Sequence, residues 1–205
     1  MITKYIEILK HIRNFSPTTI LEIGAREGGD AFHFRDAFKI NNRDVYIVEP
    51  NPEILPAIWC KEFNLFEVAI GMESGMKKFY QAHGDGDRMG TSSVLDRNDD
   101  WYKKNKVDII DVKVITGKEL MNSINRDIDI CKIDVEGLTW EVLSSFGNDL
   151  LRIKSMHLET ETIPYWKGQK LHPEVVKLME EFNYEIQWQN EGKQLDSIWI
   201  HKSLL

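Results

Sequence analysis

Apolar residues recur along this chain in two rhythms. Near the start, Ile2, Ile6, Leu9 and Ile12 fall three or four apart with Lys and Arg between them, which predicts an amphipathic helix within residues 1–16. Further on, apolar positions close into short runs or strict alternation. These predict strands at 18–23, 44–50, 65–71, 75–82, 107–117, 128–137, 152–161, 184–189 and 196–202. Helices are expected at 29–39, from Pro52 to about 62, at 139–146, and from His172-Pro173 to 182, where proline suits a first turn. Residues 83–98 are glycine- and polar-rich and read as a loop.

Strands that alternate with helices imply a mostly parallel sheet covered on both faces. The last two strands close it as an antiparallel hairpin around "NEGKQ". The expected fold is α/β and Rossmann-like. We read 1–205 as a single domain: an N-terminal helix (1–16), a cofactor-binding core (18–161), and a C-terminal helix with hairpin (162–205).

Composition narrows the function. With 42% hydrophobic and 29% charged residues the chain is ordinary globular material. A net charge of -7 with scattered basic residues argues against a nucleic-acid partner, which needs a basic face. No stretch approaches the roughly 18 apolar residues of a membrane span, and the N-terminus lacks a signal-peptide core. The expectation is a cytoplasmic protein with no nucleic-acid or membrane partner and no indicated oligomeric state. Cys60 and Cys131 lack metal-ligand spacing and read as buried reduced thiols.

The candidate chemistry begins at "ILEIGAREGG", residues 20–29, where a buried run turns into glycines. A phosphate loop needs Lys-Ser/Thr after its glycines; here Asp30-Ala31 follow. A dinucleotide fingerprint needs a second glycine where Arg26 stands, and Glu22 and Glu27 would face pyrophosphate. A phosphate-free, cationic nucleoside such as S-adenosyl-L-methionine suits Glu22, and the free N–H groups at the next helix suit its carboxylate. Glu49 ends the second strand about 20 residues later, where an acid accepts ribose hydroxyl protons. A solvated strand-end acid is the other reading of Glu49.

The stretches "LEIGAREGGDAFHF", "VYIVEPNPE", "FEVAIG", "GTSSV", "KIDVEGLTWEVLSSFG" and "HLETE" resemble, in that order, the FkbM-type S-adenosylmethionine-dependent methyltransferases. The likeness spans roughly 18–161 and is most specific in Lys132–Gly137. It departs at Arg26, where the family commonly has an amide. The resemblance implies a seven-stranded class I methyltransferase fold and methyl transfer to oxygen, often on a sugar or polyketide-like hydroxyl. It implies cofactor contacts from Glu22, Gly24, Ala25 and Gly28, from Glu49 and Pro50 near ribose, and from Ala69 and Ile70 near adenine. Ser92, Ser93 and Asp134 complete that implied set.

For the acceptor, Asp134 is the expected base or orienting group, with His157 as alternative base and Glu159 beside them, because His157 and Glu159 share one strand face. Other readings stay open. Buried Lys132 must be paired, and Glu159 could be its structural partner. Asp134, Glu136 and Glu159 could hold magnesium or calcium; the expected site contains no metal. His83, Asp85 and Asp87 could belong to a lid or a solvated loop. Trp101, Tyr102, Tyr165 and Trp166 could stack on an acceptor or pack at edges. Beside the methyltransferase reading stand a non-catalytic adenosine-ligand domain, supported only by Arg26, and a nicotinamide-dependent oxidoreductase, disfavoured by the turn.

Overall fold

The computed structural model describes residues 2–58, 61–83 and 90–205. Its main sheet has seven strands. They are β1 (Ile20–Ile23), β2 (Val45–Val48), β3 (Asn64–Phe66), β7 (Ile130–Ile133), β8 (Ser155–Glu161), β9 (Tyr184–Gln189) and β10 (Gln194–His201). Their spatial order is β3-β2-β1-β7-β8-β10-β9. Neighbours are parallel from β3 to β8, and β10 runs antiparallel to both β8 and β9.

Alternation along the buried strands divides the core. Leu21, Ile23, Cys131, Ile133, Met156 and Leu158 face α4 (Gly117–Ile124), α5 (Thr139–Ser145) and α6 (His172–Glu181). Ile20, Ile130, Val45, Ile47, Ile198 and Ile200 face α1 (Ile2–His11) and α2 (Gly29–Phe38), where Tyr5, Leu9 and Phe34 are fully buried. That second face turns polar toward the strand ends. Glu22, Lys132 and His157 lie in register across β1, β7 and β8.

The structure corrects two expectations and adds a helix. The predicted strand 65–71 breaks after Phe66. Its second half, β4 (Ala69–Ile70), pairs with β6 (Val107–Ile115) in a separate three-stranded sheet, where β5 (Gly75–Ala82) runs antiparallel to β6. The helix expected from Pro52 is one 3-10 turn, Leu55–Ala57, within its described part; Pro56 lacks the N–H an α-helix needs there. The helix α4 was not foreseen, although Thr116 and Glu119 form a capping box at its start. A short α3 (Trp101–Lys104) precedes β6. Among the described residues, no helix is long and apolar enough to cross a membrane. Cys131 is buried and free; Cys60 lies outside the described residues.

Candidate active site

A cavity of about 650 Å³ opens at the carboxyl ends of β1, β2 and β7. Strand order reverses beside β1, so connections leave in opposite directions and a crevice results. The glycine turn is threaded through this gap. The Gly24 and Ala25 N–H groups both donate to the Val48 carbonyl at 3.0 Å, and the Asp134 N–H donates to the Ile23 carbonyl at 3.0 Å. Gly24 has φ 76°, and a β-carbon there would lie 1.8 Å from the Asp134 carbonyl oxygen. No side chain fits. Gly28, at φ 79°, sets the start of α2.

Arg26 has φ 49°, a left-handed conformation that asparagine tolerates better than arginine. The departure from the family pattern therefore leaves the turn intact at a strain of about 1 kcal/mol. The arginine side chain turns to Glu27, with Nε 3.2 Å from its carboxylate.

Glu49 is buried at the β2 end. Its Oε2 accepts the Arg26 N–H and its Oε1 accepts the Asn51 N–H, each at 2.8 Å. Burial pushes its carboxyl up to about 7 against those two donors. Two backbone donors leave further lone pairs for a ligand. Beside it, Val68, Ala69, Ile70, Phe79 and Ile54 form an apolar slot, and Gly90–Val94 form the neighbouring wall. Ser92 and Ser93 line that wall; Ser93 Oγ donates to the Glu136 carbonyl at 2.7 Å.

The far end is acidic. Glu22 lines the cavity, and its Oε2 accepts the Ala31 N–H of α2 at 2.9 Å. Burial raises its carboxyl to about 8, opposed by Lys132. Lys132 Nζ sits 2.7 Å from Asp134 and 3.0 Å from Asp30. Its partners are thus these two aspartates rather than Glu159. Burial works against the Asp134 anion, yet the Lys132 ammonium holds the carboxyl below the ordinary range.

Asp134, Glu136 and Glu159 bring carboxylate oxygens within 4.8 Å of one another. Burial, then the charge of Asp134, raises Glu159 to about 9; burial, then Glu159 and Asp134, raises Glu136 well above the carboxylate range. Gln194 donates to Glu159.

The structure brings together Asp134, Glu159 and every cofactor residue expected from the sequence except Gly28, which lies within the turn but is not on the cavity wall. His157 is not on that wall either. It sits level with Lys132, two residues short of Glu159, 3% exposed, with Nε2 2.8 Å from Asp196. Tyr165 and Trp166 line the cavity, whereas Trp101 and Tyr102 pack behind them around the Arg97 guanidinium. Arg97 is held bidentately by Asp99 at 2.9 and 2.7 Å. Gly137 permits Trp166 to close over the β7 end, since a β-carbon there would meet its ring at 2.9 Å. His83 bridges Glu53 and Asp108 away from the cavity; Asp85 and Asp87 lie outside the described residues. Sequence reading missed Asn51, Phe79, Arg97 and Gln194 as wall residues; only the "EPNP" stretch hinted at the first.

This strand order, with its carboxyl-end crevice and strand-end acids, defines the class I methyltransferase fold. The chain belongs to the FkbM methyltransferase domain family, whose model matches residues 22–186. No curated protein matches it. Its structure is similar to that of methyltransferase FkbM from Methylobacillus flagellatus KT (TM-score 0.57, 10% identity, covering 93% of this chain and 45% of that one). It is similar also to precorrin-6y C5,15-methyltransferase from Geobacter metallireducens GS-15 (0.52, 12%, 97% and 86%). A third is magnesium protoporphyrin IX methyltransferase from Synechocystis PCC 6803, solved with bound S-adenosylmethionine (0.51, 8%, 98% and 77%).

Proposed function

We propose that this chain binds S-adenosyl-L-methionine and transfers its methyl group to a hydroxyl of a small molecule or glycan. The observation that carries the reading is the polarity of the crevice. Its ribose end offers a carboxylate with spare lone pairs, its middle is an apolar slot, and its far end gathers Glu22, Asp30, Asp134, Glu136 and Glu159 around Lys132. The carboxyls there outnumber the single Lys132 ammonium, and an ammonium or sulfonium would draw the burial-raised Glu22 and Glu159 toward their ionised forms, whereas a phosphate would oppose that ionisation. These residues fit the cofactor. When bound, it supplies an electrophilic methyl group on a cationic sulfur.

The chain's own work is orientation and proton removal. Tyr165, Trp166 and Gln194 border the acceptor side. An acceptor hydroxyl that took the methyl group would have to give up its proton. The Asp134 carboxylate, kept ionised by Lys132, is basic enough to take it. Glu159, raised to about 9, carries a proton near neutrality and can donate a hydrogen bond to the acceptor.

The test is methyl transfer across a panel of hydroxylated metabolites and glycans, with wild type and Asp134→Asn, with and without EDTA. The variant is expected to lose turnover by about 100-fold, the scale of general-base catalysis, a larger loss than it suffers in cofactor affinity. A fully active Asp134→Asn enzyme would remove this residue from the chemistry. Turnover abolished by EDTA and restored by magnesium would favour the second reading, in which the three clustered carboxylates hold a cation.

A further inference from the structure

Asn51 is wholly buried, lines the cavity two residues beyond Glu49, and has an amide nitrogen with no hydrogen-bond partner among the described residues. Everything else on the residue is satisfied. Its backbone N–H donates to Glu49 Oε1, and its carbonyl accepts the N–H groups of Ile54 and Leu55 at 3.1 and 3.3 Å. Its side-chain Oδ1 accepts the Glu53 N–H at 3.1 Å and Gln81 Nε2 at 2.6 Å.

The orientation of this amide is fixed. The Glu53 backbone nitrogen can only donate, so the group facing it must be the oxygen. A flipped amide would set two donors against each other. Gln81, reaching in from the inner end of β5, holds the same oxygen from a second side. The NH₂ group is therefore the part left for a ligand. A buried donor without a partner is costly, and the fold tolerates it where a bound group completes the bond.

We infer that Asn51 is a specificity-determining residue whose Nδ2 donates to a ribose hydroxyl oxygen of the cofactor; this rests on the adenosine reading above. Glu49 and Asn51 then act on the same diol in opposite senses. The hydroxyl gives its proton to the Glu49 carboxylate, and its lone pair accepts from the Asn51 amide. The Asn51 N–H already sits on Glu49, and both residues line the cavity side by side. A site with both a donor and an acceptor committed to one hydroxyl discriminates strongly against an analogue that lacks it. The separate β4-β6-β5 sheet gains a role, since Gln81 on β5 positions the reading group.

The experiment is calorimetric binding of S-adenosylhomocysteine and its 2′-deoxy and 3′-deoxy analogues to wild type, Asn51→Asp and Asn51→Ala. Asn51→Asp keeps the oxygen for Glu53 and Gln81 and removes only the donor. Asn51→Ala, which is neutral, controls for the added charge. Circular dichroism confirms that each variant is folded. Both variants are expected to bind S-adenosylhomocysteine at least tenfold more weakly than wild type. For one of the two deoxy analogues that difference should shrink to within twofold. Equal binding of S-adenosylhomocysteine by wild type and a folded variant would overturn the inference and leave the cofactor reading standing, as would a loss that is the same for all three ligands. Should neither variant fold, a wild-type preference for S-adenosylhomocysteine of under tenfold over both deoxy analogues would overturn it. Failure of wild type to bind S-adenosylhomocysteine at all would overturn the cofactor reading and the inference with it.

Discussion

Gly24→Ala is expected to destabilise the protein by about 4 kcal/mol and to abolish cofactor binding. Two costs add. The left-handed φ of 76° penalises any β-carbon by about 1–2 kcal/mol. The β-carbon would also stand 1.8 Å from the Asp134 carbonyl oxygen, a backbone atom with no rotamer to escape through. Relief requires the turn and the β7 end to part, and overpacking of this kind costs about 1–3 kcal/mol more. In a chain of 205 residues such a loss lowers the melting midpoint by about 10 °C. Gly28→Ala is the control. Its φ of 79° is equally left-handed, but its nearest neighbour would be the flexible end of Ile47 at 3.6 Å. It should cost only the conformational penalty, about 1 kcal/mol. Urea denaturation of both variants separates steric exclusion from backbone preference; equal losses would mean that the close approach to β7 does not matter.

Lys132→Met is the second large effect. It leaves Asp134, Asp30 and Glu22 facing one another without a cation. Removing one partner of a buried ion pair costs about 3–5 kcal/mol, and since both aspartates keep about a third of their surface exposed, about 3 kcal/mol is expected at pH 8. The pH dependence has a defined sign. In wild type, burial and then Lys132 act on Asp134 with a net lowering, so Asp134 stabilises the fold above its unfolded value, about 3.9, and that contribution fades only as pH falls through the lower folded value. Without Lys132 the lowering is gone, and burial raises Asp134 and Glu22. The variant then takes up protons on folding and is relatively more stable in acid. The deficit against wild type should therefore be smaller at pH 5 than at pH 8 in urea denaturation. A deficit independent of pH would mean that Lys132 acts through its packing alone.

The fold was legible where one physical rule governed a segment. Strands buried on both faces read as nearly continuous apolar runs, which is why 45–48 stood out, and 20–23 and 130–133 with one charged residue each. The turn at 24–28 was legible because its left-handed positions at 24 and 28 call for glycine, and Glu49 because strand-end acids interrupt apolar runs. Reading failed where tertiary pairing decided. Nothing local in "LFEVAIG" announces that Phe66 stays in the main sheet while Ala69 crosses to β6. The helix α4 was missed although its Thr116–Glu119 capping box is written in the chain. His157 shows the limit at the site. The period of two placed it on the same face as Glu159, but Lys132 in register with it reaches the cavity while His157 is held back, its Nε2 on Asp196 and its ring edge-on to Tyr5. Asn51 was marked only by its place in "EPNP"; its role was not legible, since that lies in a partner, Gln81, thirty residues away.

The most direct test of the account is calorimetry of wild type with S-adenosylhomocysteine, ATP and NAD between pH 6 and 8. The account predicts that only S-adenosylhomocysteine binds, and more tightly as pH rises. Burial against the two backbone donors sets Glu49 near 7, and its ionised form is the one that accepts ribose hydroxyls. Binding below pH 7 should then release a proton, seen as a heat that changes with the buffer used. Binding of NAD or ATP in its place, or no binding of S-adenosylhomocysteine at any pH, would contradict it.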